Sequence, residues 1–301
     1  MTANNSDRQW EHVTDKEEKE YRNLCLNYAV DTNLFNKFRR SGLGNILESG
    51  DKIIGEYTLR GIRSRGKLSE FLANIDKAKL NDSIGLPFLH NFEDIRSCSS
   101  STIQYLGDAL EIKDLVKNHK INNVIEIGGG FGGLARILSI FIPYKSYIMI
   151  DFPEVLLLVS RFLENFPDVK SKVHLVSCFD VHTYKFKKND LLIACSSFAE
   201  LSPEMQRFYN NTIILNSTFS FIIYNTIHLK KSKNSIKYLV AFWRKHFFTE
   251  ISAPYHSNIH FHLSPGFSSV NKIQDFFFGP LTLFSRILRS FKRRFCMPRY
   301  E

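Results

Sequence analysis

Val124-Ile125-Glu126-Ile127-Gly128-Gly129-Gly130-Phe131-Gly132-Gly133 joins an apolar, β-prone run to a helical one through a turn made almost wholly of glycine. Glycine takes backbone angles closed to other residues and lets a ligand approach the main chain, so a turn of this composition suits a cofactor. Gly128, Gly130 and Gly133 satisfy the spacing G-x-G-x-x-G used for dinucleotides, and the same turn would serve S-adenosylmethionine (SAM). Glu126 separates the two. A carboxylate two residues before the first glycine suits the ammonium of a methionine moiety, whereas a pyrophosphate needs bare N–H groups at the helix start. The reading is SAM, with Glu126, Gly128, Gly130 and Phe131 as the contribution of the turn.

The next β-prone run, from Ser146 to Ile150, ends in Asp151, 23 residues beyond Gly128, and is followed by Phe152 and Pro153. An acid at this place accepts hydrogen bonds from the hydroxyls of an adenosine ribose, and its neighbour Phe152 would lie along the adenine. Dinucleotide enzymes use an acid at similar spacing, so Asp151 points to a nucleoside without choosing the cofactor. Cys178 and Phe179, after a third strand, fall where the adenine edge would be reached. The structural alternative for this set is a tightly packed turn and a helix cap before Pro153.

A fourth apolar run ends in Cys195-Ser196-Ser197-Phe198-Ala199-Glu200. The Asn/Asp-Pro-Pro-aromatic element that holds exocyclic amines in base methylation is absent from this segment. Ser196 is placed beside the cofactor, and Glu200 supplies a carboxylate that could accept a proton from an alcohol, a poor nucleophile until that proton leaves. Glu200 could equally pair with a helix N-terminus or a basic residue. His228, after a fifth strand, is a second candidate base, against the alternative of an ordinary loop histidine. His256, His260 and His262 form a further group, in which residues 260 and 262 would share one face of a strand. No acidic cluster accompanies them in the sequence, so no metal site is expected.

The elements that must position these residues alternate strand and helix: strands at 122–127, 146–151, 172–177, 190–195 and 219–225, helices at 131–141, 153–166 and 202–216, and a further helix around 233–248. This order predicts an α/β fold with a mainly parallel central sheet covered by helices on both faces. Ser202 followed by Pro203 marks the start of one helix. Pro254 to Phe267 alternates as closing antiparallel strands would. Residues 1–100 read as a helical appendage, broken at Gly42, Gly44, Gly50 and Gly55, that caps the site or builds a homo-oligomer interface. Thr102 to His119 reads as a helix leading into residues 101–275, the catalytic domain.

With 44% hydrophobic residues, including 27 Phe, the chain can build a substantial core and is not expected to be disordered. Five scattered cysteines without a C-x-x-C exclude a disulfide framework and fit a reducing compartment. A polar, acidic amino terminus and the lack of any run approaching ~20 apolar residues make the cytoplasm the expected location. The net charge of +10 is concentrated toward the C-terminus. In residues 276–301, Phe284, Ile287, Leu288, Phe291 and Phe295 fall at helical spacing, with Arg286, Arg289 and Arg293 turned away from them. Such a basic amphipathic helix over 281–301 would contact an anionic membrane surface, or else dock its apolar side on the protein body.

Three segments together carry a family resemblance: Val124–Ala135, then Ile150-Asp151-Phe152-Pro153-Glu154-Val155, then Ser196-Ser197-Phe198-Ala199-Glu200. They resemble the bacterial sugar O-methyltransferases over roughly residues 85–230, including Phe-Leu-His-Asn-Phe-Glu-Asp-Ile-Arg at 88–96. The resemblance implies a Rossmann-like methyltransferase fold and SAM as donor, with Glu126, Gly128, Gly130 and Asp151 in the cofactor roles. It also implies a sugar nucleotide or lipid-linked glycan as acceptor, in surface-polysaccharide or glycolipid assembly. Nucleic acid is not the expected partner, since no RNA-binding module accompanies the basic tail. A methyltransferase of another small molecule or of RNA, and a nonenzymatic scaffold with the same fold, are the alternatives.

Overall fold

The computed structural model of the protein describes residues 15–40, 47–48, 50–186, 188–225, 243, 248–252 and 258–265. The regions around His228, His256, the expected helix at 233–248 and the C-terminal segment 276–301 lie outside these, almost in their entirety. Seven strands form one sheet in the order β3-β2-β1-β4-β5-β7-β6. They are β1 (Asn123–Ile127), β2 (Ser146–Asp151), β3 (Val173–Ser177), β4 (Asn189–Cys195), β5 (Ser217–Asn225), β6 (Phe248–Ser252) and β7 (Asn258–Ser264). The first five pair in parallel, while β7 runs antiparallel to both β5 and β6. Strand order reverses beside β1, whose neighbours are β2 and β4. In open α/β sheets that reversal opens a crevice at the carboxyl ends of the strands.

The strand bounds agree closely with the hydrophobic pattern, because strands buried on both faces read as unbroken apolar runs. One strand was not expected from the sequence: β6 begins at Phe248, where the expected helix was to end, and pairs with β7 to close the sheet. A partner strand is chosen by tertiary pairing, which a local pattern does not encode.

The principal helices are α1 (Asp15–Val30), α2 (Lys52–Ser64), α3 (Leu68–Ala78), α4 (Ser100–Leu115), α5 (Gly133–Leu138), α6 (Pro153–Leu163) and α7 (Pro203–Thr212). Helix α7 starts as its sequence predicts, with the Ser202 hydroxyl accepting from the Met205 N–H at 3.2 Å. Gly55 does not break a helix; it lies inside α2, where a Cβ would meet the Phe92 ring at 2.6 Å. The glycine is there for close packing of α2 on the 88–96 loop, a loop tied by the backbone bridge between His90 and Cys98.

The N-terminal helices share one continuous core with the sheet: Tyr21, Cys25, Phe38, Leu59 and Phe71 belong to the same buried cluster as Ile125, Met149 and Phe221. Helix α1 packs on α6, and α4 packs on α2, α3 and α5. Arg39 is fully buried between these parts, bonded to Glu48 at 2.6 Å, to the Asn81 carbonyl at 2.8 Å and to Ser99 at 2.9 Å. A buried guanidinium is tolerable only when its donors are met in this way. Asn81 then donates to the Gly133 carbonyl at 3.0 Å, which couples the network to the back of the glycine turn.

Candidate cofactor site

The glycine turn leaves β1 with three glycines at positive φ, Gly128 at 77°, Gly130 at 54° and Gly132 at 89°. The Gly128 N–H donates to the Ile150 carbonyl at 2.9 Å, holding the turn against the end of β2. A Cβ on Gly128 would overlap Ser197, and one on Gly129 would overlap the Met149 side chain. Gly130 differs. Beside it the nearest atom is the Tyr105 hydroxyl at 3.9 Å, so this glycine borders open space at the crevice.

Glu126 and Asp151 flank the turn from adjacent parallel strands and are both buried. The Tyr147 hydroxyl donates to Glu126 Oε2 at 2.7 Å. Burial pushes the Glu126 carboxyl up to about 8, against the Tyr147 hydrogen bond and helped by the Asp151 charge. Asp151 accepts from the Gly129 N–H at 3.0 Å and from the Phe152 N–H at 2.8 Å, with the Gly130 N–H also directed at it. Burial nevertheless raises Asp151 to about 7. Two buried carboxyls raised toward neutrality on adjacent strands beside a glycine turn make this a candidate site for charged or hydroxylic ligand groups. A carboxylate offers about four acceptor sites, and the three N–H groups on Asp151 leave one for a ligand hydroxyl.

The remaining expected residues divide between this site and the core. Phe131 turns its ring inward, into edge contacts with Phe38, Tyr105 and Phe162 at 5.5, 5.8 and 5.0 Å. Its side chain is therefore core, and only its backbone remains for a ligand. Phe152 and Phe179 stand together with centroids 5.8 Å apart, and the Cys178 N–H donates to the Asp151 carbonyl at 2.9 Å. Phe152 and Cys178 are buried, and Phe179 is exposed. Ser196 occupies a left-handed backbone conformation, φ 68°, that is strained for a residue with a Cβ and is commonest at functional turns. The following Ser197 hydroxyl bonds the Ile127 carbonyl, tying the end of β4 to the start of the glycine turn. Glu200 ends the short helical turn Ser197–Glu200; burial and the Asp151 charge push its carboxyl up to about 7.

Helix α1 contributes side chains that the sequence reading did not find. Tyr21 and Cys25, one turn apart, are buried within reach of the Asp151 charge, and Tyr21 also feels Glu200. Burial and Asp151 push the Cys25 thiol up to about 12, so it is held as a neutral thiol. Arg22 grips Glu154, at the start of α6, through Nε at 3.0 Å and Nη2 at 2.9 Å. Its guanidinium lies 5.3 Å from the Phe152 centroid and 5.1 Å from that of Phe179, the rings at which the adenine is expected. More than 100 residues separate α1 from these partners, so no local pattern could have joined them. Tyr147 was legible: residues 147, 149 and 151 share a strand face by alternation.

Two of the three grouped histidines are described. His260 Nδ1 lies 2.9 Å and His262 Nε2 3.3 Å from Oε2 of Glu111 on α4. Arg65 Nη2 lies 2.9 Å from the other Glu111 oxygen. Burial alone would raise this carboxyl, but the two histidines and Arg65 hold it well below the usual carboxylate range. The acidic partner missing from the local sequence thus comes from a helix about 150 residues earlier.

Sheet order and antiparallel β7 define a Rossmann-like α/β fold. No protein-family model matches the chain, and no curated protein does. Among solved structures it is similar to the mitomycin 7-O-methyltransferase MmcR, with 10% identity, TM-score 0.40, and coverage of 56% of this chain and 57% of that one. It is also similar to M. capricolum TrmK in complex with S-adenosyl-homocysteine (SAH), with 12% identity, TM-score 0.38, and coverage of 52% and 68%. The chain thus matches little more than half the length of MmcR. Likenesses at these identities and TM-scores say nothing of the acceptor. Among the described residues no helix is long and apolar enough to cross a membrane.

Proposed function

We propose that this protein binds SAM in the crevice beside Gly130 and transfers its methyl group to a sugar hydroxyl. The observation that carries the reading is the pairing of two buried carboxyls, Glu126 and Asp151, at the ends of adjacent parallel strands around a glycine with open space beside it. SAM, when bound, supplies a methyl group already activated by its sulfonium. Glu126 is the partner for the ammonium of the methionine moiety. Asp151 accepts from a ribose hydroxyl with its remaining lone pair, and Gly130 allows backbone approach. Phe152, Cys178, Phe179 and Ser196 complete the cofactor surface, and Phe131 adds its backbone.

An alcohol acceptor needs a proton acceptor, and Glu200, with its carboxyl near 7, is poised for that role at neutral pH. His228 is the second base. The resemblance of the three motif segments to bacterial sugar O-methyltransferases is what supports a sugar nucleotide or lipid-linked glycan as acceptor, within surface-polysaccharide or glycolipid assembly. The helical segment before residue 100 caps the site through α1, and the basic segment 276–301 brings the enzyme to an anionic membrane.

Calorimetric titration of the purified chain with SAM, SAH and NAD tests the cofactor. Saturable binding of the first two and not NAD is the expected result; binding of NAD alone overturns it. Transfer of labelled methyl from SAM to a panel of glycan acceptors tests the sugar. Turnover only on RNA or a non-sugar small molecule would retain the methyltransferase and reject this acceptor, while SAM binding without any turnover would favour a scaffold.

A further inference from the structure

Glu111, His260 and His262 bring one carboxylate oxygen and two imidazole nitrogens within 4.8 Å of one another. Three features of this cluster go beyond an ordinary buried ion pair. First, both imidazoles converge on the same oxygen, Glu111 Oε2, at 2.9 and 3.3 Å. Ligands of a tetrahedral ion at bond lengths of about 2.0–2.2 Å lie about 3.3–3.5 Å from one another; the two nitrogen–carboxylate distances are close to that spacing, and the whole set lies within 4.8 Å. Second, the Glu111 carboxylate has a further charged partner, since Arg65 Nη2 forms an ion pair with its other oxygen at 2.9 Å. Metal-binding carboxylates are characteristically fixed by such an outer partner. Third, the cluster sits on firm elements. His260 and His262 alternate on β7 opposite Ile223 and Phe221 of β5, and His260 is fully buried.

We propose that Glu111, His260 and His262 form a binding site for one divalent cation of the zinc class. Two nitrogens and one carboxylate oxygen suit zinc or a neighbouring transition ion, whereas magnesium and calcium prefer all-oxygen shells. A four-coordinate ion held by three side chains keeps one position for water. Glu111 lies six residues beyond Tyr105 on α4, about 9 Å along the helix, and the Tyr105 hydroxyl is the nearest atom to the open side of Gly130. The ion therefore pins α4, the helix that backs the cofactor crevice, to β7 at the far side of the same sheet. This site stands independently of the methyl-transfer reading.

The test uses the untagged full-length chain, stripped with a chelator and dialysed, then titrated with Zn²⁺ in competition with a chromophoric chelator and separately with Mg²⁺. Expected are one tight zinc equivalent per chain, a rise in melting temperature on adding zinc, and no comparable effect of Mg²⁺. Glu111→Gln and His262→Gln should each weaken zinc binding by at least about 100-fold, the upper end of the 10- to 100-fold loss typical of removing only an outer partner. Zinc affinity unchanged in both variants, or no stoichiometric uptake by the wild type, overturns the proposal. Should a variant fail to fold, Co²⁺ loading of the wild type decides the matter. Intense visible d–d absorption of a low-coordinate nitrogen/oxygen site supports it, and the pale spectrum of a six-coordinate aquo ion refutes it.

Discussion

Arg22 on α1 and Glu154 on α6 are joined by two parallel hydrogen bonds, 3.0 Å from Nε and 2.9 Å from Nη2, although 132 residues separate them. The pair lays the guanidinium over Phe152 and Phe179, so an adenine ring entering there must displace it. Arg22→Ala should cost about 1 kcal/mol, since the pair is partly solvated and the ring contacts are modest. It should also speed SAM association. Stopped-flow binding and a denaturant melt would read both, and slower association in the variant would contradict this role for Arg22.

Gly129 and Gly130 are neighbours with opposite sensitivities. Gly130→Ala meets only the Tyr105 hydroxyl, at an unstrained 3.9 Å, and carries the backbone penalty of its positive φ, about 1–2 kcal/mol, yet it projects a methyl group into the proposed cofactor crevice. Gly129→Ala overlaps the buried Met149 side chain, which should cost about 1–3 kcal/mol. The first variant should fold and lose SAM affinity, and the second should lose stability. Paired melts and titrations separate the two effects; undiminished SAM affinity in Gly130→Ala would move the cofactor away from this turn.

Glu126 links stability to pH with a definite sign. Its folded-state carboxyl sits at about 8, above the ~4.3 of a free glutamate, so the folded protein holds this proton more tightly than the unfolded chain does. That contribution is complete below about pH 4 and is lost progressively as pH rises toward about 8. Glu126→Gln should flatten this part of the profile and raise the melting temperature near pH 8 while weakening SAM binding. Melting curves across that interval check it. A wild-type profile with no downward component relative to the variant would show that Glu126 ionises freely in the fold.

Glu200→Gln removes a proton acceptor while keeping the size of the side chain. Turnover should fall about 10²- to 10⁴-fold, the usual range for a general base, with SAM affinity nearly unchanged. Near neutral pH, wild-type turnover should rise as the Glu200 carboxyl, held at about 7, loses its proton. Wild-type turnover in the variant would clear Glu200 of a catalytic part and leave His228 as the base.

The sequence determined the elements and the core of the site. Apolar runs with Glu126 and Asp151 at their ends, a glycine turn between, and Ser202-Pro203 at a helix start are local patterns, because strand burial, turn geometry and capping act over a few residues. Tertiary structure alone decided what surrounds them. It turned the Phe131 ring into the core, placed Gly55 inside a helix, made residues 248–252 a strand, laid Arg22 over the expected adenine rings and delivered Glu111 to His260 and His262. Each of these is a contact between residues far apart in the chain, fixed by packing and by the need of buried charges for partners, and nothing in the neighbouring sequence encodes which distant partner will be met.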